Sequence, residues 1–473
     1  MVNKEVPPLW AHQVRAIELG TKHPDVALLM DMGVGKSRTA LEILRARMNE
    51  NKKILRTLII GPAAVLYNWR AEIAKYTKIP LDKVFVLDGS VAERIKLIKV
   101  LPKDSIFITN YEGFANAKMK EIFTYAPPEF LILDEAHRVK GVTAQRTKAL
   151  TAISDAMNNM PVHYRMILTG TPVLNNEMDL FAQYRILDGG KRLGKNFFQF
   201  RAQYFEDKNR YMPKHAHFPK WVVKTSSRDI LKAKISEISI HASKDECLDL
   251  PPLVRVSVPV ELSAEQKRAY SDMKKEFLAV CENGVSIAQL AITKALRMQQ
   301  ILSGFLKLDN GEIHRFEVNP LAKALKDLLE DIASNHKVIV WSIFHEDHEI
   351  VRNACRDLEL EYAELTGLIS DKQAEIDKFQ NQSSCRVMIA SQAAGGTGVN
   401  LTEASYMVYF SRGYSLEHDL QSEARAYRGG SEKHTSITRI DLVAEGTIDT
   451  AVLKALQDKK DLSTDILHLA KMI

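Results

Sequence analysis

The stretch "LLMDMGVGKSRTAL", Leu28 to Leu41, decides how the first half of the chain folds. An apolar run ends at Met30, a glycine-containing turn follows, and Lys36-Ser37 open a segment with apolar residues at helical spacing. The backbone N–H groups of such a turn, with a helix N-terminus behind them, wrap a phosphate. On this reading Gly33, Val34, Gly35, Lys36, Ser37 and Arg38 form the phosphate cradle. Lys36 neutralises the outer phosphates, and Ser37 ligates magnesium. The strict pattern G-x-x-x-x-G-K-[ST] is broken at its first glycine, where this chain has Met30.

Strand and helix keep alternating on either side. "RTLIIGP", "SIFITNY", "FLILDEAH" and "YRMILTGTP" read as strands, and "AVLYNWRAEIAKY" as a helix. Such alternation predicts a parallel sheet with helices on both faces. Ligands then bind at the carboxyl ends of the strands. The polar clusters stand at those ends. In "FLILDEAHRVKG", Asp134 can hold magnesium and Glu135 can orient or deprotonate a water; alone, the pair also reads as a surface loop with a helix cap. In "RMILTGTPVLNN", Thr169 to Pro172 end another strand, a pattern shared with ordinary turns.

From about residue 185 to 250 the alternation lapses into aromatic and basic sequence, and "DLPP" (Asp249–Pro252) marks a turn. "LVRVSVPVEL" reads as a strand. A helical region spans Ser263 to Ser303, with Ser263 and Gln266 as a capping box. "FLKLDNGEIHRF" reads as a hairpin turning at Asn310-Gly311. Alternation resumes with "KVIVWSIF", "SCRVMIAS", "YMVYFSRG" and "TSITRIDLV", and a helix near Ile448–Lys459 follows. The expected fold is α/β, with two parallel-sheet lobes in tandem and mainly helical insertions. The expected boundaries are 1–187, 188–250 and 251–473, with a helical insertion near 263–318.

The 473 residues carry a net charge of +6, mildly basic and compatible with a polyanion partner. Four scattered cysteines without a C-x-x-C pair suggest neither a zinc site nor a disulfide framework, which fits a reducing compartment. The N-terminus lacks the apolar core of a signal peptide, and no apolar run reaches membrane-span length. The expectation is a cytoplasmic protein.

Near the end stands "QSEARAYRGGSEKH", Gln421 to His434. A helix would set Gln421, Arg425 and Arg428 on one face. The plain alternative is a solvated face partnered by Glu423 or Glu432.

In order, "DMGVGKS", "DEAH", "LTGTP", "GGTGVNL" and "QSEARAYR" resemble the superfamily 2 helicase and translocase ATPases. "IIGPAAVLYNWRAEI", "ITNYEGF", "DEAHRVKG", "LTGTPVLNNEMDLFAQYRIL" and "ELTGLISDKQAEIDKFQ" narrow the resemblance to the Swi/Snf-type branch, over nearly the whole chain. It implies two RecA-like lobes with ATP and Mg2+ between them. Lys36, Asp134, Glu135, Gln421, Arg425 and Arg428 would be catalytic, the arginines stabilising charge on the transferred phosphoryl group. Ser37 and Asp134 would hold the metal, and Gly398 and Asn400 would add nucleotide contacts. "PPLWAHQVRAI" resembles the adenine-reading motif, placing Gln13 on the base with Trp10 or His12 near the ring. Trp10 is equally a core position, since Leu9, Val14 and Ile17 share its stripe. Nucleic-acid contacts would come from Asn68, Trp69, Arg70, Thr109, Asn110, Tyr111, Lys140, Thr366, Gly367, Ser391, Gly395, Gly396 and Thr397, mostly to phosphates. Trp69 has packing of the first lobe as its alternative.

Three positions depart from that family. Its arginine pair before "LPP" is replaced by "SIHASKDEC", its closing glutamine is Ser431, and Met30-Asp31 stand where two acids are usual. The implied function is an ATP-driven motor on nucleic acid, a monomer translocating on or remodelling double-stranded DNA. Two alternatives remain: a helicase on forked DNA or RNA, and a nucleotide-gated scaffold with little turnover.

Overall fold

The computed structural model describes residues 8–170, 177–211, 219–247, 249–282, 288–308, 310–395 and 399–458. The chain divides into two units, residues 1–248 and 249–473. The first holds strands β1 (Asp25–Met30), β2 (Thr57–Gly61), β3 (Val84–Val86), β4 (Ile106–Asn110), β5 (Phe130–Asp134), β6 (Tyr164–Thr169), β7 (Phe205–Asp207), β8 (Trp221–Val223) and β9 (Ser239–Ala242). Seven form one sheet in the order β3-β4-β2-β5-β6-β1-β9, with every pairing parallel. Alternate residues of the same strands enter different cores. Ala27, Leu29, Leu58, Ile60, Leu131 and Leu133 join one, while Val26, Leu28, Ile59, Ile106, Ile132 and Met166 join the other. Both faces are therefore covered, which is why these strands read as continuous apolar runs.

Helices α1 (Ala11–Lys22), α2 (Lys36–Asn51) and α3 (Leu66–Tyr76) belong to this unit. Residues 188–250 contribute more to it than the insertion expected from sequence. They supply β9, which pairs with β1 in the register Ala27↔Ser239. They also supply an aromatic cluster in which Phe200 stacks with Phe181, Tyr204 and Phe205 at 5.0–5.4 Å. "SIHA" is too short, with one large apolar residue, to announce a strand.

The second unit holds β10 (Leu253–Val260), the hairpin β11 (Phe305–Lys307) and β12 (Ile313–Arg315), β13 (Val338–Ser342), β14 (Glu361–Leu365), β15 (Cys385–Ser391), β16 (Tyr406–Tyr409) and β17 (Ile437–Ala444). Its six-stranded sheet runs β10-β17-β16-β13-β15-β14, again all parallel. Val338, Val340 and Ile389 serve one core, and Ile339, Trp341 and Met388 the other. The expected helical region is two helices, Ala264–Glu282 and Ala288–Ser303. Ser263 and Gln266 form the predicted box, each backbone N–H 3.2 Å from the other's side chain. Gly311, at the hairpin turn, has φ of +89°. Among the described residues no helix is long and apolar enough to cross a membrane.

Asp347 is one of the buried groups that tie the stability of the second unit to pH. Asp347 opens the helix His345–Asp357 and accepts from the Phe344 N–H at 3.3 Å and the Ser411 hydroxyl at 2.5 Å. Burial, opposed by those hydrogen bonds, pushes its carboxyl up to about 7 from 3.8. Its favourable contribution is full below the unfolded value and is lost as pH rises towards the folded one. That contribution falls between about pH 4 and about pH 7, while buried His348 beside it, pushed down to about 4 by burial, contributes in the opposite sense up to its ordinary 6.5. Asp347→Asn, a neutral isostere, should remove that share alone, so the melting temperature of the variant minus that of the parent should rise from about pH 4 to about pH 7; a difference that does not change with pH would refute the assignment.

Candidate functional site

The turn after β1 is built by two glycines. Gly33 and Gly35 have φ of +88° and +80°, a region that strains any residue with a Cβ. A side chain at Gly35 would also run into the Gln13 amide. Helix α2 begins immediately at Lys36, so its first N–H groups face the turn. Helix α1 holds the turn from the other side. His12 Nε2 donates to the Val34 carbonyl at 2.8 Å, and Gln13 Nε2 to the Gly35 carbonyl at 3.3 Å. Gln13 Oε1 accepts from the Trp10 N–H at 2.9 Å. Gln13 and His12 are thus buried against the turn, where the sequence reading set them at a base. Trp10 lies more open, its ring 5.6 Å from that of His12. Arg38 stacks over the Tyr76 ring at 4.9 Å.

Lys36 folds back to donate to the Met30 carbonyl at 2.8 Å and the Asp31 carbonyl at 3.4 Å. Gly170, just past β6, presses on the same place: a Cβ there would lie 3.3 Å from both Lys36 Nζ and the Met30 oxygen. The third motif therefore abuts the first.

Asp134 ends β5 and is buried. Its Oδ2 accepts from Trp69 Nε1 at 2.9 Å and its Oδ1 from the Glu135 N–H at 3.0 Å. The Tyr111 hydroxyl donates to its carbonyl at 2.8 Å. Burial and then the charge of Glu135 push the Asp134 carboxyl up to about 7, against the pull of the Trp69 hydrogen bond and of Lys36. Glu135 sits at φ +51°, a strained setting for a non-glycine residue. Its carboxylate lies 3.5 Å from His137 Nδ1, itself 3.3 Å from the Thr169 hydroxyl. Among the described residues no three His, Cys, Asp or Glu side chains cage a metal ion. The donors on hand are the Asp134 carboxylate and the Ser37 hydroxyl. Such hard oxygens fit Mg2+ bound together with phosphates.

Several expected nucleic-acid contacts turn inward. Trp69, Thr109, Tyr111 and Thr366 are all buried. Trp69 and Tyr111 brace Asp134 instead. Thr109 and Asn110 hold Arg94, whose Nη1 reaches their side-chain oxygens at 3.3 Å and 2.6 Å. The side chains of Trp69, Thr109, Tyr111 and Thr366 thus face the interior, while Asn110 keeps partial exposure. Asn68, Arg70, Lys140, Gly367 and Ser391 keep partial or full exposure. Lys140 Nζ lies 4.0 Å from Asp179. Gly395 closes the short helix Gln392–Gly395. Gly396, Thr397 and Gly398 lie outside the described residues, as do Thr171 and Pro172.

In the second unit Gln421 and Arg425 ride the helix Leu416–Ala426. That helix stops before Arg428, which corrects the single-face reading. The two arginines nevertheless converge: Nη1 of each donates to the Val399 carbonyl at 3.4 Å. Gln421 Nε2 donates to Glu417 at 2.8 Å. Asn400 is exposed and accepts from the Thr402 N–H at 3.2 Å. The solvated-face alternative fails in its partners. Glu423 turns to Arg255 and Arg439, at 2.9 Å and 3.2 Å, and Glu432 accepts from the Gly430 N–H at 2.6 Å.

Sequence reasoning missed the network that fixes this helix. Buried Arg439 on β17 meets Asp419 at 2.9 Å, Glu423 at 3.2 Å and Asp441 at 3.1 Å, and lies 4.0 Å over the Tyr409 ring. Arg412 meets Asp441 at 3.1 Å. Asp419 and Glu423 are one helical turn apart, and Arg439 and Asp441 share one face of a strand. Those two spacings in "HDLQSE" and "TRIDLV" were the available signal.

Two parallel-sheet units follow one another along the chain. A glycine-built turn, a strand-end acid pair and a Gly170 turn meet in the first. This is the tandem RecA-like architecture of the superfamily 2 helicase and translocase class. Residues 17–311 match the SNF2-related domain and residues 321–430 the helicase conserved C-terminal domain. The chain belongs to the SNF2-related family. An uncharacterized ATP-dependent helicase of Mycoplasma genitalium is 26% identical over 91% of this chain and 39% of its own length. The CHD3-type chromatin-remodeling factor PICKLE of Arabidopsis thaliana is 24% identical over 93% of this chain and 32% of its own. The chain thus spans less than half the length of these curated relatives. The Sulfolobus solfataricus SWI2/SNF2 ATPase core, solved with dsDNA, aligns over 99% of this chain and 95% of its own at 21% identity and a TM-score of 0.44.

The Arg439 network gives a stability test. Arg439→Met should cost about 3–5 kcal/mol, because Asp419 is left buried without its cation. Adding Asp419→Leu should recover part of that loss, since Glu423 keeps Arg255 and Asp441 keeps Arg412. Urea denaturation of both variants checks this; a double variant weaker than the single would contradict it.

Proposed function

We propose that this chain is the ATP-hydrolysing core of a motor that translocates on or remodels double-stranded DNA in the cytoplasm. The observation that carries the reading is the meeting of Lys36, Met30 and Gly170, with Asp134 near enough to feel the lysine's charge. Membership of the SNF2-related family supports it from an independent side.

Lys36 would exchange the Met30 and Asp31 carbonyls for the outer phosphates of ATP. Gly33 and Gly35 let the backbone approach them closely. Ser37 and Asp134 would hold Mg2+, which when bound supplies charge neutralisation of the phosphates. Glu135 would orient and deprotonate the attacking water. Arg425 and Arg428 would leave the Val399 carbonyl to offset charge growing on the transferred phosphoryl group, with Gln421 positioning beside them. Asn68, Arg70, Lys140, Gly367 and Ser391 would position the duplex through its phosphates. The Mycoplasma genitalium relative is named a helicase, which favours strand separation on forked DNA as the second reading.

Lys36→Ala should abolish ATP turnover. Arg425→Ala and Arg428→Ala should lower kcat by roughly a thousandfold or more, within the range of arginine-finger losses, while ATP binding is largely spared. Turnover should rise with duplex DNA more than with single strands or RNA. Triplex displacement without fork unwinding would favour translocation, and the converse would favour the helicase reading. Hydrolysis that no nucleic acid stimulates would sink both.

A further inference from the structure

The positive charge of this chain is concentrated in one short segment that the motor motifs do not use. Between Lys191 and Lys234 the sequence carries twelve Lys or Arg and three Asp or Glu, a net +9. The whole chain is only +6, so everything outside this segment is net negative. The described part of the segment belongs to the first unit, where Phe200, Tyr204 and Phe205 pack into the core, while Lys195, Lys208, Lys220, Arg228, Lys232 and Lys234 are exposed.

The fold collects those cations. Strands β7 and β8 pair antiparallel, Asp207 opposite Trp221, and the Lys208 N–H bonds the Lys220 carbonyl at 2.9 Å. That sets Lys208 and Lys220 side by side at one end of the ladder. The helix Thr225–Ser236 follows directly, with Arg228 and Lys232 one turn apart and both exposed. Lys234 Nζ donates to the Arg192 carbonyl at 3.3 Å, tying this helix to the 191–195 loop, where Lys195 is exposed. Lys208, by its hydrogen bond and charge, then Lys224 and Arg210 hold the exposed Glu206 carboxyl below its usual range, so these cations gather around one acid.

Compensation inside the segment is thin. Lys191, Arg192 and Lys208 reach carboxylates. Among the described residues Lys195, Lys220, Arg228 and Lys232 have none within 4.0 Å. A folded, exposed surface that keeps four lysine and arginine charges unpaired repels itself, and an external polyanion relieves that repulsion.

We infer that the described part of residues 191–234, with Lys195, Lys220, Arg228 and Lys232 as its exposed cations, is an accessory grip on the phosphodiester backbone of duplex DNA. It adds holding strength outside the surface formed by the family motifs. The cations are spread over a loop, a strand end and a helix, as phosphate-binding groups are. The inference rests on the motor reading for its choice of polyanion.

The test is the full chain carrying Lys220→Gln, Arg228→Gln and Lys232→Gln together. These side chains are exposed and touch no part of the ATP site, so melting temperature and DNA-free ATP turnover should match the parent. The slope of log affinity for duplex DNA against log salt should become shallower by about 2 to 3, at roughly 0.9 for each phosphate no longer neutralised. The duplex concentration giving half-maximal ATPase stimulation should rise roughly tenfold, while turnover at saturating duplex stays level. An unchanged slope and half-maximum would overturn the grip and leave the motor reading intact. A parent chain that binds duplex through this segment, yet whose hydrolysis no nucleic acid stimulates, would keep the grip and end the motor reading. Loss of poly-glutamate binding with duplex affinity unchanged would reassign the surface to an acidic protein and overturn the proposal.

Discussion

Inside its edge strands, the large parallel sheet of each unit is covered on both faces, and that constraint dictates where polar chemistry can stand. A residue inside such a strand meets apolar side chains whichever way it points, as Leu28 and Leu29 do on β1. Polar groups are therefore driven to the carboxyl ends, where strand becomes loop. Asp134 and Thr169 end β5 and β6, and Asp31 directly follows β1. Because β6 lies between β5 and β1, the loops that follow all three meet at one edge. The approach of Gly170 to Lys36 follows from strand order.

Charges that do enter the interior hold helices to sheets. Arg165 on β6 reaches Asp25 on β1 at 3.0 Å and the Ser154 carbonyl of a covering helix at 2.8 Å. Arg439 on β17 does the same for the helix that carries Gln421 and Arg425. A rigid guanidinium fork can satisfy several partners in fixed directions, which a lysine cannot. In the second unit Arg255, Arg412 and Arg439 face Asp419, Glu423 and Asp441, so each of these carboxylates has a cation. Asp419 and Glu423 face the sheet, which lets Arg425 point elsewhere on the same helix. An ion network internal to the unit thereby sets the direction of a residue assigned to chemistry.

Most of the fold was legible because covered parallel strands announce themselves as apolar runs. The strands of the two large sheets that gave no such signal are the short or polar ones. β3 is three residues long, β9 has one isoleucine in four, and β14 carries a glutamate at each of two positions in five. The turn after β1 was legible because glycine spacing before Lys36 serves a backbone need. Side-chain direction was not legible. Trp69, Thr109, Tyr111 and Thr366 sit in motif stretches, but a motif names positions without saying which way each points. The end of a helix was equally hidden. "QSEARAYRGG" has nothing that forces a stop at Ala426, yet the two arginines still meet because the chain past the helix bends back to Val399.

The inward turn of Trp69 has a physical consequence. Asn68, Trp69 and Arg70 are consecutive on α3, so less than one helical turn carries two solvent-accessible polar groups and one buried indole. The indole N–H ends on Asp134 Oδ2 at 2.9 Å. A hydrogen bond to the charged form of a carboxylate favours that form, and this one opposes the burial that raises Asp134. Trp69 is buried on α3, so the helix and the acid at the end of β5 are joined by a direct hydrogen bond. Helix α1 makes a similar link through His12 and Gln13 to the Val34 and Gly35 carbonyls of the turn after β1. The outer helices of the first unit are thus in direct hydrogen-bonded contact with the residues at the strand ends.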